Sequence, residues 1–172
     1  MWRISSGLFV STNTDAANSV LLQSIPITHI VNCALELPSH FPDEYGYLRL
    51  NLKDPDEKLI DRIDGTCRFI ERHINVGNVL VHCNGAISRS PSVVLAYMCH
   101  NGQSLIQAAE SISAILPTCP NMVFLQQICQ YFGFAHTRDD LMHITGILRR
   151  NDCDTSPVSN NLNEPKRFGL QS

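Results

Sequence analysis

The sequence predicts an α/β protein: a central, mainly parallel sheet flanked by helices. Three observations predict it. Short apolar runs, several rich in Val and Ile, recur at 7–11, 27–34, 47–52 and 78–83. Segments of helical spacing separate them or follow them. Pro, Gly and Asn cluster between the two kinds of segment, where turns are needed.

Taken in order, GLFVS (7–11) reads as a short strand. DAANSVLLQS (15–24) reads as a helix opened by Asp15, a residue type suited to an N-cap. ITHIVNCA (27–34) has the β-branched content of a buried strand. ELPSHFPDEYG (36–46), with Pro38, Pro42 and Gly46, is expected to be loop. YLRLNL (47–52) alternates apolar and polar residues as a strand does, and KDPDEK (53–58) is a charged turn. LIDRIDGTCRFIERHI (59–74) sets Ile60, Ile63, Cys67, Ile70 and Ile74 at helical spacing. NVLVHC (78–83) is an apolar strand. SPSVVLAYMCHNG (90–102) reads as a helix with Ser90 as N-cap, Pro91 as first residue and Asn101-Gly102 at its end. SLIQAAESISAIL (104–116) and NMVFLQQICQYFG (121–133) are two further helices, separated by Pro117 and Pro120. DLMHITGILRR (140–150) can form one more. The expected organisation is a catalytic domain over 1–137, an extra helix within 138–150, and a polar, disordered tail over 151–172.

Composition narrows the function classes. The chain has 172 residues, 44% of them apolar, which suits one domain with a substantial core. Its net charge of -3 offers no basic footprint for nucleic acid. The seven cysteines are odd in number and irregularly spaced, mostly within apolar runs. They are expected to be reduced thiols of an intracellular protein, cytoplasmic or nuclear, rather than a disulfide framework. No C-x-x-C pair suggests a zinc site, so no metal or other cofactor is expected. MWRISSGLFVS lacks the apolar core of a signal peptide, and no run approaches the ~20 apolar residues of a membrane span. Residue 2 is not glycine, so myristoylation has no acceptor, and no membrane partner is expected.

One stretch carries chemistry: VLVHCNGAISRSPSVVLAYM, residues 79–98. An apolar strand ends at Cys83, five uncharged residues follow, and Arg89 precedes a helix. In a parallel sheet, ligands bind beyond the carboxyl ends of the strands. Amides of such a loop can converge on an oxyanion, and the helix N-terminus adds a favourable field. Arg89 can clamp two oxygens at once. The same field favours the thiolate of Cys83, since a free cysteine with a pKa of ~8.5 is only roughly 3% ionised at neutral pH. A thiolate beneath a bound phosphate can attack phosphorus in line. Ser90 can hydrogen-bond the sulfur as it leaves.

HCNGAISRS resembles the His-Cys-x-x-Gly-x-x-Arg-Ser/Thr signature of the cysteine-based protein tyrosine phosphatase superfamily. GLFVS, ITHIVN, YLRLNLKD, VLVHC, SRSPSVVLAYM and CPNMVFLQQ resemble, in that order, its dual-specificity branch, over roughly residues 3 to 133. The resemblance implies the fold of that branch, in a small member without an extra targeting domain. It implies Cys83 as nucleophile, Arg89 as phosphate ligand, Ser90 as helper in breaking the thiophosphate, and His82 as a modulator of the thiolate from behind. The amides of Asn84, Gly85, Ala86, Ile87, Ser88 and Arg89 would cradle the phosphate. The general acid of the family lies just past the strand before the amphipathic helix. YLRLNLKD puts Asp54 there, with Asp56 as the competing candidate.

Two departures stand out. The third residue after the signature cysteine is Ala86, and glycine lies one residue earlier, at Gly85. If the loop needs a left-handed residue at 86, alanine costs roughly 1–2 kcal/mol, and a methyl aimed into the cradle costs more. Gly85 can absorb part of that strain. AILPTCPN also lacks the arginine that the family often carries before its Pro-Asn element. Two readings therefore stand. One is a phosphatase acting on phosphotyrosine and phosphoserine/threonine of signalling proteins. The other is a pseudophosphatase that binds phosphoproteins with little turnover.

The uncharged loop argues against a polyphosphorylated lipid, and the negative charge argues against RNA 5′-ends. Phosphorylated proteins remain as partners, and nothing in the sequence sets the oligomeric state. His29 reads as a partnered core histidine, and His73 and His100 lie near helix C-termini. Cys67, Cys99 and Cys129 fall on apolar helix faces. One of these, or Cys33, can be imagined trapping oxidised Cys83 as a disulfide. Thr155-Ser156-Pro157 matches a proline-directed phosphorylation triplet, as chance also often produces.

Overall fold

The computed structural model describes residues 1–55 and 58–149. The expected tail, including Thr155-Ser156-Pro157, lies outside the described residues, as do Arg150 and Asp56. Five strands form one sheet: β1 (Trp2–Ser5), β2 (Leu8–Ser11), β3 (Ile27–Ala34), β4 (Gly46–Leu52) and β5 (Asn78–His82). Their spatial order is β1-β2-β5-β3-β4. β2, β5, β3 and β4 run parallel, and β1 pairs antiparallel with β2. The mainly parallel α/β fold expected from the sequence is therefore the one observed.

β5 is the hub, inserted between β2 and β3. Its side chains alternate between two cores. Leu80 faces Phe9 and Ile30 with Leu21 and Leu22 on one side of the sheet. Val79 and Val81 face Leu8, Val10 and Val31 with the larger helical layer on the other. The chain leaves β2 through α1 (Asn13–Ala16) and α2 (Ser19–Ser24), which cover the first face. It leaves β4 and β5 through α3 (Ile63–Ile74) and α4 (Arg89–His100), which cover the second. Connections that part to opposite faces open a crevice at the carboxyl end of β5.

The helical layer is completed by α5 (Leu105–Ser113), α6 (Met122–Phe132) and α7 (Arg138–Arg149). α4 buries most of its surface and runs through the middle of this layer. α5 opens with a Ser104–Gln107 capping box. α6 starts at Asn121, whose side chain accepts from the Val123 amide, and ends at the left-handed Gly133. α7 is opened by Thr137 and Asp140, which cap each other's amides at 3.2 and 2.7 Å. Its Leu141, Ile144, Ile147 and Leu148 are buried in the same core as α4 to α6.

Several boundaries differ from the sequence expectation. The helix expected over 15–24 is two short helices. Thr12 caps the first, taking the Asp15 amide, and Asn18 caps the second by taking the Leu21 amide, which a continuous helix would use internally. Asp15 is not the cap; its carboxylate accepts from the Met1 amine at 2.7 Å. The segment 59–74 begins as a 3₁₀ turn, Ile60–Arg62, before α3. β1 was not expected at all. A two-residue Ser6-Gly7 turn joins it to β2, with Gly7 at φ 77°.

Candidate active site

Cys83 follows the last residue of β5, at the crevice. The loop after it is held by its carbonyls. The Asn84 carbonyl accepts from the Asn13 amide at 2.9 Å. The Ile87 carbonyl accepts from the Cys119 amide at 2.9 Å and from the Thr118 hydroxyl at 2.5 Å. The Ser88 carbonyl accepts from the amide and hydroxyl of Ser92. With these three carbonyls tied to the scaffold, the amides of residues 84–88 donate to no other group among the described residues. The loop thus gathers free N–H donors in one place, which is what an oxyanion needs.

α4 starts at Arg89, not at Ser90. Ser88 is the N-cap residue, but its hydroxyl accepts from the Asn121 amide instead of capping. Pro91 is then the third helical residue. The first four amides of a helix have no internal partner, so proline loses nothing there. Arg89 and Ser90 occupy the first turn, where the helix field favours an anion.

Cys83 is 2% exposed and lies at the base of the crevice. The Ser90 hydroxyl donates to its sulfur at 3.2 Å. His82 is fully buried, and burial drives its pKa down to about 4, against a smaller upward pull from the Cys83 backbone. Its ring nitrogens make no well-formed hydrogen bond. His82 is therefore a neutral ring, not a cation. Cys33 is the neighbouring thiol that feels Cys83. Burial pushes its pKa well up, nearby Cys83 adds to this, and Arg89 opposes it. Cys67 and Cys99 are each pushed to about 12, mainly by burial; Asp64, Cys99 and Glu71 add to this at Cys67, and Cys129 at Cys99.

Arg89 is held by a carboxylate the sequence reading did not single out. Its Nη1 lies 2.6 and 2.7 Å from the two carboxylate oxygens of Glu36 and also donates to the Leu52 carbonyl at 3.3 Å. Partial burial pushes the Glu36 carboxyl up. Its hydrogen bonds and the Arg89 charge outweigh that and hold its pKa below the ordinary value. Glu36 owes its place to Asn32, buried near the end of β3. Its amide donates to the Leu37 and Pro38 carbonyls at 3.1 and 3.0 Å. The Leu52 carbonyl owes its place to a bulge. Between the Asn32–Arg49 and Ala34–Leu52 pairs, β4 has one residue more than β3. Asn51 takes this up at φ 54°, a conformation asparagine tolerates better than most residues. A carboxylate just beyond the end of the strand beside β5 was the available sequence signal.

Asp54 sits two residues past β4 and is exposed on the crevice wall, facing the same space as Cys83 and Arg89. The crevice is large, about 920 Å³. Its far side comes from Pro120, Asn121 and Met122, and from Met142, Thr145, Gly146 and Arg149 of α7.

Ala86 has φ 58°, so the left-handed position of the loop is at 86, as the signature glycine implied. Gly85 does not absorb the strain, since its φ is not positive. The Ala86 methyl does not enter the cradle. Ala86 is buried in the main core beneath the loop and is absent from the crevice wall, which its neighbours Gly85 and Ile87 do line.

A loop of free amides, a cysteine at its base and a carboxylate-anchored arginine thus meet at the carboxyl end of β5 in a mainly parallel α/β fold. Residues 8–133 match the model of the dual specificity phosphatase catalytic domain, and the chain belongs to that family. It is 34% identical over 132 residues to Dual specificity protein phosphatase 1B of Arabidopsis thaliana, covering 74% of this chain and 79% of that protein. It is 36% identical over 135 residues to the human Protein phosphatase Slingshot homolog 3, covering 76% of this chain but only 20% of that longer protein. Among solved structures, human DUSP28 superposes with a TM-score of 0.71 at 29% identity, covering 77% of this chain and 96% of that one.

Proposed function

We propose that this chain is a protein phosphatase that hydrolyses phosphotyrosine and phosphoserine/threonine through a cysteinyl-phosphate intermediate. The observation that carries the reading is Cys83 beneath the free amides of 84–88, with Ser90 Oγ 3.2 Å from its sulfur. The loop amides and the Arg89 guanidinium bind the three terminal oxygens of the phosphate. The Cys83 thiolate attacks phosphorus, forming an S–P bond while the ester P–O bond breaks. Asp54 gives its proton to the leaving oxygen. Water then attacks phosphorus, Asp54 takes up the proton, and the S–P bond breaks with its electrons returning to sulfur. The Ser90 hydrogen bond stabilises that sulfur. His82, neutral at working pH, packs the back of the site without adding charge.

The pseudophosphatase reading rests on Ala86 alone. The buried methyl leaves the phosphate cradle clear, which favours turnover. Phosphoproteins as substrates follow from the family. Location in the cytoplasm or nucleus is part of the proposal, since a thiolate nucleophile needs a reducing compartment and six described cysteines are free thiols. Recovery of the tagged chain in a secreted fraction would overturn that part.

Hydrolysis of a plain aryl phosphate tests the reading. The unmodified chain is expected to turn over, Cys83→Ser to be silent, and Ala86→Gly to stay within about threefold of the unmodified chain. A silent chain restored by Ala86→Gly would mean a loop-disabled phosphoprotein binder.

A further inference from the structure

The family match ends at residue 133, yet α7, Arg138–Arg149, forms one wall of the crevice. This helix carries two stripes. Leu141, Ile144, Ile147 and Leu148 are buried against α5 and α6. Met142, Thr145, Gly146 and Arg149, again at helical spacing, face the crevice that holds Cys83 and Asp54. Met142 is 56% exposed, so an apolar side chain stands open beside the reaction centre. α7 is also fixed to the segment that supports the phosphate loop. The Thr118 amide donates to the Leu148 carbonyl at 3.4 Å, and Arg149 Nε donates to Cys119 Sγ at 3.0 Å. Thr118 and Cys119 are the residues that hold the Ile87 carbonyl.

The Nε contact orients Arg149 at the rim. No carboxylate lies within ion-pair distance of its guanidinium among the described residues. Loop residues 84–88 carry no charge, so Arg149 is the cation that an extended segment would meet beyond Arg89 on this wall. We propose that Arg149 is a specificity-determining residue. It selects protein substrates with an acidic side chain near the phosphorylated residue, while Met142 and Gly146 give the peptide a surface to lie on. This rests on the phosphate-site reading of Cys83 and its loop.

The size of the effect follows from exposure. Arg149 is exposed, so its pairing with a carboxylate is expected to give about a fivefold preference at low ionic strength, falling toward one at high salt. The test measures binding, not turnover, in the full chain carrying Cys83→Ser. Phosphopeptide pairs differ only by Glu or Gln at each position within about four residues of the phosphorylated one, each extended residue spanning ~3.3 Å. The Glu peptide is expected to bind about fivefold tighter at one or more positions. Arg149→Gln is expected to bring that ratio to about one, and Arg149→Lys, which keeps the charge, to retain most of it. Damage to the 117–121 segment would weaken both peptides alike and leave the ratio unchanged. A ratio near one in the parent, or one that survives Arg149→Gln, overturns the inference while leaving the phosphate site standing. Tighter, Arg149-dependent binding of a soluble inositol polyphosphate than of any acidic peptide also overturns it. Failure of both peptides to bind overturns the phosphate-site reading and the inference together. Charge selection in a chain that hydrolyses nothing supports the inference and removes the turnover proposal.

Discussion

Ala86 sits at φ 58°, where a non-glycine residue costs about 1–2 kcal/mol. Against that cost stand a buried methyl, about 0.8 kcal/mol, and the lower unfolded-state entropy of alanine relative to glycine, about 0.4–1 kcal/mol. The terms nearly cancel. Ala86→Gly is therefore expected to shift unfolding free energy by less than about 1 kcal/mol in a urea titration. His82 offers a pH test. Its folded pKa of about 4 lies below the ordinary 6.5, so the native state binds fewer protons than the unfolded state between those values. The neutral ring's contribution is complete above pH 6.5 and is lost as pH falls toward 4. Lowering the pH from 7 to 5 should reduce stability by roughly 2 kcal/mol through His82 alone, and His82→Asn should remove that part of the slope. Glu36→Gln leaves Arg89 without its anchoring charge. Inorganic phosphate should then inhibit about tenfold more weakly, the effect of losing one charge-assisted hydrogen bond. Cys83, Arg89 and Ser90 were legible because their spacing is local and the chemistry needs all of them in one loop. Glu36 was not, because it is 53 residues from Arg89 and reaches it only through sheet pairing.

At the scale of elements, hydrophobic period found four of the five strands and most of the helices, and side-chain capping decided where the helices differ. Thr12 sets the start of the first helix, and Asn18, capturing the Leu21 amide, splits one expected helix into two. Ser6-Gly7 is a recognisable hairpin turn, but β1 has too short an apolar run for its pattern to announce a strand. α7 was legible as a helix and not as part of the catalytic unit, since nothing local says which way its second stripe points. Its buried face makes a firm expectation. Ile144 is 3% exposed within the main core, so Ile144→Ala should destabilise the whole protein by about 2–4 kcal/mol. A single cooperative transition at lower urea would show that α7 is part of the domain. An unchanged midpoint would show that it is an appendage.

For the whole molecule, topology does the assembling. The connection after β2 departs to one face of the sheet and the connection after its neighbour β5 to the other, and the crevice opens where they part. Into it come Asp54 from beyond β4, Cys83 and Arg89 from the β5–α4 junction, Asn121 before α6, and Arg149 from α7. No local pattern could gather these residues; the order β1-β2-β5-β3-β4 does. The proposed chemistry requires that phosphate pass through the Cys83 sulfur. Rapid quenching of a Ser90→Ala chain during turnover of an aryl phosphate, followed by peptide mass mapping, reads this step. Phosphate should appear on the peptide carrying Cys83 and on no peptide carrying Cys33 or Cys119. Continued turnover with Cys83 unmodified, or phosphate on another residue, would contradict it.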